Sequence, residues 1–135
     1  MRENGIYKNI IHERLKAILA LIKEGKNTLS IEREAAFLVL DTMEAIEKKE
    51  VTLVEAHEPF VKIEYALDQK LSSALSEDAR ELLSEAILLD EVGAPHGPNM
   101  NLLVTLATKI VGRTRHFSQS GIKSFAARHT AAQTL

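Results

Sequence analysis

The sequence predicts an all-α domain, a compact bundle or orthogonal array of five to six helices. Three observations point there. Apolar residues recur at steps of three and four along most of the chain, capping residues stand where those runs begin, and the apolar material is almost wholly aliphatic, with four Phe, two Tyr and no Trp. A chain of 135 residues fits one core and not two.

From Ile6 to Glu24 the residues Tyr7, Ile11, Leu15, Ile18 and Ile22 fall on one helical face, widened by Ile10, Ala17 and Leu21. Gly25 is the natural stop, because it takes a positive φ without a Cβ penalty. Ser30 is the expected N-cap of a second helix, with Glu32 and Glu34 in its first turn and Lys48 and Lys49 in its last, as the helix dipole favours. Read alone, the run Ala35 to Leu40 could be a buried strand; its continuation through Met43 and Ile46 makes it a central helix, with Phe37 and Met43 as core.

Thr52-Leu53-Val54-Glu55 matches a capping box and opens a third helix. Pro59, seven positions on, predicts a kink or restart, with Phe60, Ile63, Leu67 and Leu71 recurring beyond it. Ser76, followed by Glu77 and Asp78, caps a helix whose inner face is Ala79, Leu82, Leu83, Ala86 and Ile87 and whose end is expected at Gly93. Gly93 to Asn99, with two Pro and two Gly, is a loop. Asn99 can cap a fifth helix with the apolar face Leu103, Leu106, Ile110 and Val111, stopping near Gly112, and a last short helix is expected over about 122–132.

The charges divide the chain. Through Glu91 there are 12 Lys and Arg against 19 acids, a net of −7; beyond it stand five basic residues and no acid. The expected organisation is a helical body over 1–111 and a basic C-terminal segment over 112–135, docked on the body or on a second copy, within a single domain.

Several chemistries are excluded or unsupported. Without Cys there can be no disulfide, thiolate nucleophile or zinc–thiolate site. There is no dinucleotide or phosphate-loop glycine motif, no Gly-flanked nucleophilic Ser and no Glu-x-x-His pair of the di-iron type. Neither His12-Glu13 nor His57-Glu58 is followed by a second His at zinc-protease spacing. The N-terminal Met1-Arg2-Glu3-Asn4-Gly5 lacks the basic start and apolar run of a secretory signal, and no apolar run approaches the roughly 20 residues of a membrane span. The expectation is a cytoplasmic protein without cofactor, metal or membrane contact.

Two groups of residues remain as candidates. Glu55, His57 and Glu58, with His96 in the Pro-Gly loop, could form an acid–base or metal cluster; the plainer reading gives Glu55 to its cap and leaves His57 and Glu58 pointing about 100° apart on a helix. Arg113, Arg115, His116, Lys123 and Arg128, interleaved with Phe117 and Phe125, could contact a polyanion; the plainer reading lays them on the acidic body. The leading expectation is a non-enzymatic interaction domain, an adaptor, regulator or subunit, paired with itself as a homodimer or with another protein. Nucleic-acid or polyanion binding is the alternative, and a small metal-dependent enzyme the lesser one.

Overall fold

The computed structural model describes residues 6–95 and 97–118. They form six α-helices and no strand, and their apolar side chains converge on one core. The first helix, α1 (Ile6–Glu24), buries Ile11, Leu15, Ile18 and Ile22, the line that its spacing predicts. Ile10 and Ala17 are exposed and Leu21 is half-buried, so the stripe is narrower than expected. The reason is position: α1 packs chiefly against two helices, α2 (Thr28–Glu47) and α3 (Leu53–Ala66), and leaves its remaining side to water. Gly25 closes α1 at φ 67°, its N–H donating to the Leu21 carbonyl at 3.0 Å.

Helix α2 begins a turn earlier than the Ser30 reading placed it. Asn27 is the cap, its Oδ1 accepting the Ser30 N–H at 3.0 Å. The far end also differs, because Lys48 and Lys49 lie past the helix and not in its last turn. Lys49 takes the left-handed conformation, φ 62°, while its N–H and that of Glu50 reach back to the Ile46 and Ala45 carbonyls. That is a Schellman closure with Lys where Gly is usual, which hid it from the sequence. Glu50 then accepts the Tyr7 N–H at 2.9 Å, tying the end of α2 to the start of α1 and setting the two antiparallel. Helix α2 is central and contacts α1, α3, α5 (Glu77–Ile87) and α6 (Met100–Ser118). Met43 packs on the core, whereas Phe37 lies half-buried under the Arg14 guanidinium, 5.1 Å from its ring centre. Arg14 also pairs with Glu34 at 2.7 Å and Asp41 at 2.9 Å, joining α1 to α2.

The capping box of α3 is present in full, with Thr52 Oγ1 accepting the Glu55 N–H and Glu55 Oε1 accepting the Thr52 N–H. The break expected at Pro59 is absent; α3 is one helix from Leu53 to Ala66. Pro59 deprives the Glu55 carbonyl of its usual donor, a loss on the order of 3 kcal/mol. Burial of Pro59 together with Ala56, Phe60 and Ile63 offsets it. The real interruption comes at Leu67 and Asp68, where Asp68 caps the short helix α4 (Gln69–Ala74) by accepting the Leu71 N–H at 2.7 Å.

Ser76 caps α5 as its sequence suggests, and Ala79, Leu82, Leu83 and Ala86 are buried while Ile87 is half-buried. The α-helix ends at Ile87 and tightens into a 3-10 turn over Leu88–Glu91, ahead of the expected stop, with Gly93 at φ 96° beyond it. Asn99 caps α6 by accepting the Leu102 N–H at 3.0 Å. That helix does not stop at Gly112; it runs on to Ser118. Thr114, 2% exposed, satisfies its hydroxyl on the Ile110 carbonyl, and Arg113 is anchored as described below. The short helix expected over 122–132 lies outside the described residues; the sixth helix found is α4.

Candidate functional site

The densest polar arrangement lies where α2, the α4–α5 junction and α6 meet. Glu32 is 4% exposed, and its carboxylate accepts the Ser76 N–H at 2.6 Å and the Ser76 hydroxyl at 2.9 Å. Arg113 reaches it from α6, with Nη2 3.4 Å from Glu32 Oε1 and 3.1 Å from Ser76 Oγ, and Nη1 2.9 Å from Asp78 Oδ2. Lys109, one turn earlier, lies 3.3 Å from the same Asp78 oxygen. The Arg113 hydrogen bond, aided by Lys109, holds the Asp78 carboxyl below its ordinary pKa against the opposing effect of burial.

Chemically this cluster is closed. The Ser76 hydroxyl gives its proton to Glu32 and accepts from both the Ala79 N–H and Arg113, so neither of its lone pairs is left to act as a nucleophile. The arrangement clamps α6 antiparallel to α2 and commits the Arg113 charge inward. Arg113 thus takes the plainer of its two readings, laid on carboxylates of its own chain, Glu32 and Asp78. Arg115 and His116 are placed in α6 by their backbone, and Lys123 and Arg128 lie outside the described residues.

The Glu55, His57 and Glu58 group is not brought together. Glu55 is held by its cap and faces Lys8 of α1 at 3.7 Å; the Thr52 backbone N–H, then Lys8, lower its pKa. His57 points the other way, its Nδ1 3.1 Å from the Ile87 carbonyl and 3.6 Å from Asp90, which ties α3 to the 3-10 turn. Glu58 is exposed and lines, with Lys8, His12 and Lys62, an open groove of about 220 Å³ between α1 and α3. His96 lies outside the described residues. Among the described residues no three His, Asp or Glu side chains stand close enough to hold a metal ion, and no helix is long and apolar enough to cross a membrane.

Comparison with protein-family models, curated proteins and solved structures finds no match. The geometry of the chain itself is what its function must be read from.

A second apolar line runs along α3. Along α3, Val54, Val61 and Tyr65 are exposed by 56%, 39% and 92%, more than core-type side chains of a well-packed helix should be. Steps of seven and four set them within about 40° of one another, on the side opposite Ala56, Phe60 and Ile63. The helix is thus apolar on two opposed faces, one in the core and one in water. Among the described residues, the other exposed large apolar side chains are spread over α1, the start of α2, a loop and α6. The sequence carries this as a second stripe at i, i+7 and i+11, beside the core stripe of Phe60 and Ile63.

Proposed function

We propose that this chain is a non-enzymatic helical interaction domain, an adaptor or subunit, that docks a protein partner through the outer face of α3. The observation that carries this reading is Tyr65, 92% exposed at the end of an apolar line that no described residue covers. An amphipathic ring carried on a helix is a typical anchor of protein interfaces, because it adds contact area with few rotatable bonds to order. The closed Glu32–Ser76–Arg113 clamp and the scattered Glu55, His57 and Glu58 side chains support a structural role for the polar residues and no reaction.

Site-resolved photo-crosslinking tests the reading. With benzoylphenylalanine in place of Val61 or Tyr65, in the cells that make the protein, the expected result is a discrete protein adduct at both positions. The same probe at exposed Thr105 of α6 should give none. Equal labelling at all three positions, or no adduct on α3, overturns the proposal.

A further inference from the structure

We infer that the partner seated on the outer face of α3 is a second copy of this chain, with the two α3 helices packed antiparallel about a two-fold axis that crosses the outer face beside Val61. This rests on the interaction reading above and adds the identity of the occupant. The argument is one of self-complementarity, which a two-fold interface requires of a single surface.

On α3, Glu58 and Lys62 lie about 40° and 80° from Val54, both on the same flank of the apolar line. Both are exposed, and among the described residues neither forms an ion pair, not even with the other across their i,i+4 spacing. A parallel two-fold arrangement would send the two Glu58–Lys62 flanks to opposite sides of the seam and leave these four charges without one another. The antiparallel arrangement sets each Glu58 against Lys62 of the second copy, twice, because a two-fold axis perpendicular to both helices keeps like flanks on the same side. The register that makes those pairs also lays Val54 on Tyr65 of the second copy at each end and brings the two Val61 side chains together near the axis. Charge and shape thus select one register, as flanking charges do in helical coils.

A single helix-on-helix seam is smaller than the roughly 800 Å² per partner of a standard stable interface, so association is expected at dissociation constants on the order of 10–100 µM. Sedimentation velocity on the full chain between about 10 µM and 1 mM tests it. The expected result is a reversible dimer that Tyr65→Ser shifts to monomer throughout the range. Glu58→Lys and Lys62→Glu each weaken it about tenfold, and an equimolar mixture of those two variants restores dimer as a heterodimer. Circular dichroism should show every variant folded, since all three positions are exposed.

A wild-type chain that stays monomeric at 1 mM overturns the inference, and so does a mixture no tighter than its separate components. If the chain is monomeric while crosslinking at Tyr65 captures a different protein, the second copy is excluded and the interaction reading stands. If Tyr65→Ser leaves a dimer intact and α3 yields no adduct, both fall.

Discussion

The end of α6 and the outer face of α3 behave oppositely to what their compositions suggest. The first lies in the acid-free third of the chain and looks made for an external anion, yet Arg113 turns inward onto Glu32, Ser76 and Asp78. The second belongs to an apolar helix and looks like core, yet Val54, Val61 and Tyr65 face water. A carboxylate as buried as Glu32 needs a charge and hydrogen bonds to offset its desolvation, and Arg113 and Ser76 supply them. Apolar surface in water, in contrast, gains nothing for the isolated chain, and it is the ground on which the docking proposal rests.

The two faces of α3 allow the sharpest test. Phe60→Ala removes a ring that is 0% exposed and should destabilise the fold by about 3–5 kcal/mol in urea denaturation, against less than about 0.5 kcal/mol for Tyr65→Ser, five residues away. Comparable losses would mean that Tyr65 is part of the monomer's core after all.

The clamp comes next in size. Arg113→Ala strands the buried Glu32 carboxylate and should cost about 2–4 kcal/mol, less than a fully buried pair because the Arg113 side chain remains 32% exposed. The double variant Glu32→Leu with Arg113→Met should recover much of that loss, which a double-mutant cycle by chemical denaturation would read. Thr52→Ala, which removes the α3 capping box, should cost about 1 kcal/mol by the same measurement.

Acid provides a gentler probe of the clamp. The Asp78 pKa is depressed in the folded chain, so its contribution is fully present above the ordinary carboxylate range and is lost as pH falls through the lower, folded value. Thermal midpoints measured from pH 6 down to pH 3 should therefore fall more steeply below about pH 4 for the wild type than for Asp78→Asn. Identical curves would remove Asp78 from the clamp.

Much of the architecture was legible because its determinants are local. Helix starts at Thr52 and Ser76, the cap at Asn99 and the stop at Gly25 depend on atoms within four residues, and the apolar periods of α1 and α5 name their buried lines directly. The misreadings also have local causes. Asn27 competes with Ser30 as the cap of α2, Asp68 caps a helix too short to show a period, and a Lys occupies the left-handed position where Gly would mark the end of α2. The intrinsic cost of Pro59 is local, whereas the burial that offsets it depends on the packing of α3.

The candidate site was far less legible. Glu32 and Arg113 stand 81 residues apart, and Ser76 lies 44 from Glu32, so no spacing rule could join them. By itself the sequence determined an all-α chain, where most of its helices begin, and a basic end without acids. Tertiary structure alone decided which of those charges would be spent inside the molecule and which face of α3 would be left uncovered. Caps and periodicity act within a turn of helix, whereas the pairing of charges and the burial of a second apolar face depend on which helices pack side by side.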